Sequence, residues 1–154
     1  MPNVARRRVI DAPAESVWSV VSDPHHLPRW WPDTMRVENV RGDSGKRSQW
    51  TTVLETKSGR GVRADFRCLS SATEERFVFE QDVADTPFER ILRSSVTEIH
   101  LEAEGAATAV RIESRQTLRG LSRLGSPMMR GAAKRMLDDA LEGLAQATGE
   151  GPAR

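Results

Sequence analysis

The fold is decided by residues 8–32, RVIDAPAESVWSVVSDPHHLPRWWP, where a short strand leads into a proline-started helix and the segment ends in a tryptophan pair. Pro13 suits a first helical turn because the N–H that it lacks would have no partner there. Asp11 and Glu15 place negative charge near the positive end of the helix dipole. The segment therefore predicts a strand and then a helix that begins near residue 13.

A stop signal keeps this first helix short, at about three turns. Asp23 precedes Pro24, and a residue before proline is driven out of the helical region, so the helix ends near Ser22. Its apolar side consists of Val17, Trp18, Val20 and Val21.

The next segment, from His25 to Trp31, is bounded by Pro28 and Pro32 and predicts a second short helix or a tight loop. It holds Trp30 beside Trp31. Two indoles at such a corner form either a plug in the core or the wall of a pocket.

The stretches DAPAESVW (residues 11–18) and SDPHHLPRWWP (residues 22–32) resemble the start of the START-like, or SRPBCC, superfamily, within it the polyketide cyclase/dehydrase-like bacterial branch. The resemblance covers nearly the whole chain. It implies an α+β helix-grip fold, in which a curved antiparallel sheet of about seven strands wraps around a long C-terminal helix, with two short helices between strands 1 and 2. Members of the superfamily include lipid carriers, hormone receptors and aromatase/cyclases, so the fold alone does not fix the activity.

Length and composition agree with one globular domain. The chain has 154 residues, of which 38% are hydrophobic, enough for a sizeable core. We expect a single domain over residues 1–148. Residues 149–154 mix glycine, proline and charge without apolar anchors, so we expect a flexible C-terminal tail.

The charge and the cysteine content of the chain limit its possible binding partners and its cellular compartment. The 23 basic and 22 acidic side chains give a net charge of +1, which favours neither nucleic acid nor an anionic membrane. Cys68 is the single cysteine and excludes an internal disulfide, and no early apolar run has the length of a signal peptide or membrane span. We expect a cytoplasmic bacterial protein without stable membrane insertion; the sequence does not set its oligomeric state.

Residues 34–118 predict about six further strands. Residues 41–46 (RGDSGK) and 57–61 (KSGRG) are polar, glycine-bearing links typical of hairpin loops. Apolar and charged residues alternate from residue 62 to residue 68 and again around Phe77 and Phe79, so the apolar face of each strand should look inward.

Polar residues continue two of these inward faces. Ser114 and Gln116 follow the face of Ile112, while Ser95 and Thr97 share the face of Ile99. Buried polar groups need partners, so these side chains bond one another, water or something that enters a cavity. The alternative is that the sheet flares or bulges at its ends and these residues reach solvent.

The C-terminal segment from Leu124 to Ala147 predicts the longest helix. Its apolar stripe is Leu124, Met128, Ala132, Met136, Ala140 and Leu144. The stripe and its neighbours Met129 and Ala133 are rich in soft or small side chains, and methionine is over-used at adaptable binding surfaces. Ordinary core packing against the sheet is the alternative.

The sequence offers no catalytic constellation, and we expect neither cofactor nor metal. His25 and His26 are adjacent and diverge on a helix, while His100 lies on a strand between outward-facing glutamates. Cys68 falls on an inward strand face, where we expect an inert small hydrophobe. Tyrosine, a common proton donor, is absent from the chain.

Three functions remain open. The first is binding or carriage of a lipid, isoprenoid or aromatic metabolite in a cavity between sheet and helix. The second is a polyketide cyclase, aromatase or dehydratase that uses groups among Arg93, Ser114, Gln116, His25 and His26. The third is a protein-interaction module that uses the outer sheet or one of two basic clusters, residues 6–8 and the set Arg130, Lys134 and Arg135. For the first function the predicted lining is Trp30, Trp31, Trp50, Phe66, Phe79, Thr97, Ile99, Ser114, Gln116, Met128, Met129, Ala132 and Met136.

Overall fold

A computed structural model describes residues 3–42, 48–55, 61–84, 86–90, 92–118 and 126–148. Within these ranges seven strands form one antiparallel sheet in the order β1-β7-β6-β5-β4-β3-β2. The strands are β1 (Asn3–Ile10), β2 (Thr34–Arg41), β3 (Gln49–Glu55), β4 (Gly61–Ala72), β5 (Arg76–Asp82), β6 (Leu92–Glu104) and β7 (Ala107–Leu118). The predicted helix-grip architecture is confirmed.

Two short helices separate β1 from β2, as the proline pattern predicts. Helix α1 (Ala14–Val21) starts after Pro13, and α2 (Leu27–Trp30) follows a 3-10 turn at Pro24–His26. The Asp23 side chain caps that turn by accepting a hydrogen bond from the His25 backbone N–H at 3.0 Å. The turn and α2 together bring the tryptophan pair against the core.

Helix α3 (Ser126–Ala147) packs across the sheet and against α2. Its buried face is Leu137, Ala140, Leu141, Leu144 and Ala145. The predicted stripe is wrong at its N-terminal end, since Met128 is 80% exposed and Ala132 is exposed. Residues spaced strictly by four rotate about 40° around a helix at each step. Ala132 lies two such steps before the buried Ala140, so it faces about 80° away from the core.

The core lies between the inner face of the sheet and the three helices. Phe77, Ile99, Ile112 and Leu137 are each at most 2% exposed within it. The inner faces follow the predicted alternation: on β4, Ala64 is buried whereas its neighbours Arg63 and Asp65 are exposed. A smaller apolar cluster of Val83, Leu92 and Leu118, with Phe88 against it, stands apart from the main one.

Several predictions concern residues outside the ranges that the structure describes. The loop positions 43–47 and 56–60, the first two residues of the predicted C-terminal helix, and the predicted tail at 149–154 lie outside the described residues. The strands that flank both predicted loops pair as antiparallel hairpins. Among the described helices, none is long and apolar enough to cross a membrane.

Candidate functional site

A cavity of about 330 Å³ lies between the inner face of the sheet and the helices α2 and α3. Strands β3 to β7 supply most of its wall, the segment after α2 supplies one side, and Met136 of α3 closes it. Its lining residues are Leu27, Trp31, Pro32, Asp33, Thr34, Trp50, Thr52, Leu54, Glu55, Val62, Phe66, Phe79, Gln81, Phe88, Ser95, Thr97, Ser114, Gln116 and Met136.

One wall of the cavity is aromatic. Trp50 stacks on Phe66 with ring centroids 5.9 Å apart and planes 13° apart. Phe79 meets Trp50 edge-on at 5.5 Å and Trp31 at 6.2 Å. These rings come from β3, β4, β5 and the corner after α2, so the cross-strand register assembles a continuous apolar surface from distant parts of the chain.

The facing strands β6 and β7 contribute polar side chains. Thr97 pairs in register with Ser114, and Ser95 with Gln116. Ser95 and Thr97 are 8% exposed and Ser114 is 4% exposed, so these groups face inward rather than into solvent at a flared edge. The cavity is therefore amphipathic, with rings on one side and hydroxyl and amide groups on the other.

Two of the lining residues, Trp50 and Gln81, each carry an N–H donor that is buried without a partner among the described residues. The donor atoms are Trp50 Nε1 and Gln81 Nε2. Gln81 is not among the residues predicted from the sequence, although it shares the inward face of β5 with Phe77 and Phe79, four and two residues before it. Strict alternation along this strand was the signal that could have found it.

The mouth of the cavity carries two carboxylates that sequence reasoning also missed. Asp33 and Glu55 are both exposed and lie together because the Glu55 backbone N–H donates to the Asp33 carbonyl at 2.8 Å. Asp33 has a φ of 58°, in the left-handed region that aspartate tolerates better than most residues. No local sequence signal joins a turn at residue 33 to the end of a strand 22 residues later.

The structure separates the predicted lining residues into two groups. Eight of them line the cavity: Trp31, Trp50, Phe66, Phe79, Thr97, Ser114, Gln116 and Met136. Trp30 and Ile99 are buried in the core outside the lining, and Met128 and Ala132 are exposed for the helical reason given above. Met129 belongs to α3, but its side chain lies outside the described part of the structure.

The tryptophan pair takes both of the roles that the sequence left open. Trp30 is 3% exposed and plugs the core, while Trp31 is half-buried and forms cavity wall. The two rings meet edge to face, with centroids 5.2 Å apart.

The histidines lie elsewhere and are engaged in polar contacts. His25 Nδ1 is 2.9 Å from Asp23 Oδ1, and His26 Nδ1 is 2.9 Å from Arg29 Nη1. Burial alone would raise the pKa of Asp23, but hydrogen bonds from the backbone and ring of His25 outweigh it and lower that pKa. Over the described residues, no three His, Cys, Asp or Glu side chains converge to hold a metal ion.

Comparison with known proteins places the chain in a well-populated structural class. Residues 1–149 match the model of a family described as polyketide cyclase/dehydrase and lipid transport. No curated protein matches the sequence.

Solved structures share the fold at low sequence identity. TTHA0849 from Thermus thermophilus is 20% identical with a TM-score of 0.76, over 96% of this chain and 97% of that one. The Zhui aromatase/cyclase from Streptomyces sp. R1128 is 15% identical with a TM-score of 0.76, over 95% and 92%. The di-domain ARO/CYC BexL from the BE-7585A biosynthetic pathway is 16% identical with a TM-score of 0.75, over 98% of this chain and 52% of that one.

Proposed function

This chain belongs to the polyketide cyclase/dehydrase and lipid transport family, and from that membership we propose that it binds or carries a hydrophobic small molecule. The ligand class is a lipid, an isoprenoid or an aromatic or polyketide metabolite, held between the sheet and α3. The observation that carries the proposal is the continuous aromatic wall of Trp31, Trp50, Phe66 and Phe79 around a cavity of about 330 Å³. Ligand pockets in proteins have this size and this mixture of rings with a few polar groups.

The volume of the cavity supports an occupant. At about 24 cal/mol per Å³, keeping such a space dry and unfilled would cost about 8 kcal/mol. That is a large part of a typical net stability of about 5 to 15 kcal/mol. Water can satisfy the polar side near Ser95 and Thr97, but a molecule with an apolar face gains more at the aromatic side.

The titratable groups favour binding over catalysis. Asp33 and Glu55 are the charged members of the described lining, and both are exposed at the mouth. The other described lining residues are uncharged, so the aromatic wall offers a ligand apolar contact rather than an acid or a base.

The first test is a native mass spectrum of the protein purified without added ligand, repeated after denaturation. We expect a discrete adduct that is lost on denaturation and whose released mass names the ligand class. An apo mass from every preparation, together with no binding of hydrophobic probes, would contradict the carrier function.

A matched pair of substitutions locates the site. Thr97→Phe should fill the cavity from β6 and reduce ligand binding at least tenfold, because Thr97 is buried between Phe79 and Ser114 in the cross-strand register. Ala132→Phe adds the same ring to an exposed position of α3 and should leave binding within twofold. Equal affinities in two folded variants would place the ligand elsewhere.

A polyketide cyclase is the second candidate, because two of the similar structures are named as aromatase/cyclases and Ser114 and Gln116 line the cavity. His25, His26 and Arg93 are not among the lining residues. Gln116→Leu should therefore abolish turnover but keep binding if the protein is a cyclase. Unchanged product formation in that variant would remove this mechanism. We also propose a cytoplasmic location, as expected from the sequence.

A further inference from the structure

The volume of the cavity limits the size of the molecule that it can hold. A cavity of about 150 Å³ admits benzene, so each non-hydrogen atom of a ligand needs roughly 25 Å³. At that ratio the cavity of about 330 Å³ between the sheet and α3 holds roughly 13 non-hydrogen atoms. This is the size of two fused rings with a substituent, or of a chain of about twelve carbons with a polar end. A molecule with a longer chain or with four rings would leave part of its apolar surface outside.

The aromatic wall of the cavity is backed by the main core. Trp50 stacks on Phe77 with ring centroids 6.2 Å apart, and Phe77 in turn meets Trp18 edge-on at 6.2 Å. Protein interiors are packed as densely as organic crystals, so a longer ligand cannot deepen the cavity without displacing whole rings. Such a ligand would instead extend into water past Asp33 and Glu55, which are exposed at the mouth.

The polar side of the cavity provides groups that a ligand can reach. Ser95, Thr97 and Ser114 are buried lining residues, and their hydroxyl groups make no hydrogen bond to another described residue. Unlike the N–H groups of Trp50 and Gln81, these hydroxyls are open to a molecule of the size of water. Each hydroxyl can donate and accept, so water or a polar group of the ligand completes its hydrogen bonds. A plain hydrocarbon would displace that water and leave the hydroxyls unpaired.

We propose that the ligand is a compact amphiphile of at most about 13 non-hydrogen atoms, whose polar group bonds to the hydroxyls of Thr97 and Ser114. This inference rests on the proposed function and sharpens it. It selects alcohols, phenols and similar compounds with two rings or a chain of medium length. It excludes membrane phospholipids, long-chain lipids and four-ring polyketides as preferred ligands.

The test measures the length of the cavity with one homologous series, the 1-alkanols from hexanol to tetradecanol. Their affinities are measured by displacement of 1-aminonaphthalene, a neutral two-ring fluorescent compound. Each added methylene should raise the affinity about fourfold for as long as it is buried. We expect this gain to end near dodecanol, so that tetradecanol binds within about twofold of dodecanol rather than about sixteenfold more tightly.

Two methionines of α3 test whether this cavity sets the limit. Met136 lines the cavity, whereas Met128 is 80% exposed on the same helix. Met136→Ala removes the end of the side chain and should lengthen the cavity by about three carbons, so that tetradecanol binds about tenfold more tightly than dodecanol. Met128→Ala is the matched control and should leave the end of the gain at dodecanol.

Thr97→Val tests the polar contact, because it removes the hydroxyl and keeps the shape of the side chain. It should weaken the binding of every alkanol about threefold to tenfold without moving the end of the gain. Unchanged affinities in this variant would overturn the assigned contact.

The outcomes separate this inference from the function on which it rests. A gain that ends before decanol or continues to tetradecanol in the unaltered protein, or an equal shift in Met128→Ala and Met136→Ala, would overturn the inference and leave hydrophobic binding standing. If neither 1-aminonaphthalene nor any alkanol binds, the proposed function fails, and the inference fails with it.

Discussion

At the scale of single residues, Glu98 bonds to two neighbouring side chains on the outer face of the sheet. Its carboxylate accepts hydrogen bonds from Arg115 Nη1 at 2.7 Å and from His100 Nε2 at 2.6 Å, and Glu113 also contacts Arg115. Partial burial would raise the pKa of Glu98, but the hydrogen bonds from Arg115 and His100 and the charge of Arg115 outweigh burial and lower that pKa. The folded state therefore favours the ionised form.

The lowered pKa of Glu98 predicts a pH-dependent contribution to stability. The contribution is fully present above the unfolded-state pKa of about 4.3 and is lost as the pH falls through the lower folded-state value. Glu98→Gln should reduce the free energy of unfolding by about 1 kcal/mol at pH 7, since the side chain is only 19% exposed, and the deficit should shrink below about pH 4.3. Urea unfolding across this range measures it.

Glu102→Gln is the control for that measurement, because Glu102 lies on the same strand and is exposed. It should change stability by less than about 0.5 kcal/mol at either pH. A deficit in Glu98→Gln that stays constant with pH would mean that the ionised carboxylate is not what stabilises the fold.

At the scale of elements, Gly143 lets α3 approach the backbone of α2 closely. A Cβ added at Gly143 would lie 2.5 Å from the Trp30 carbonyl oxygen and 3.0 Å from its Cα. Backbone cannot yield as a flexible side chain can, so Gly143 lets α3 lie directly on the corner that carries both tryptophans. Because Trp31 adjoins this corner, the contact also positions one side of the cavity.

Gly143→Ala should destabilise the protein by about 1 to 3 kcal/mol, because the overpacking outweighs the gain of about 1 kcal/mol in helix propensity. Gly131→Ala, in the same helix, meets only the end of the Arg135 side chain, at 3.7 Å, among the described residues and should be neutral or stabilising by up to about 1 kcal/mol. Chemical denaturation of both variants provides the comparison. Stabilisation of both would show that α3 does not depend on this approach.

Some elements of the fold and of the cavity can be predicted from the sequence, and others cannot. Proline and acidic residues define α1 and α2 locally, and alternation places Phe66, Phe79 and Thr97 on inner faces, so the two walls of the cavity follow from strand patterns. The exposure of the N-terminal end of α3 does not follow from the predicted apolar stripe. Residues spaced by four rotate about 40° around the helix at each step, so Met128 and Ala132 do not share the buried face of Ala140. Asp33 and Glu55 meet only through strand pairing, which no local pattern encodes.

At the scale of the whole molecule, the cavity is built from almost every element, so its integrity depends on one cooperative unit. Strands β3 to β7 supply the walls, while α3 contacts β1, β7, α1 and α2. Opening any one of these elements would expose apolar surface that the others bury. We therefore predict that residues 1–148 unfold as a single domain.

Two optical probes test this because they report different elements of the molecule. The four tryptophans, Trp18, Trp30, Trp31 and Trp50, lie in or beside α1, α2 and β3, whereas helical circular dichroism reports mainly the 22 residues of α3. Tryptophan fluorescence and dichroism should follow one urea transition with the same midpoint and slope. Gly143→Ala should shift both curves together, since it disturbs the contact between α3 and the Trp30 backbone. A fluorescence transition that precedes the loss of helix would show instead that the tryptophan corner opens separately from the sheet and α3, and the cavity would then open through that corner.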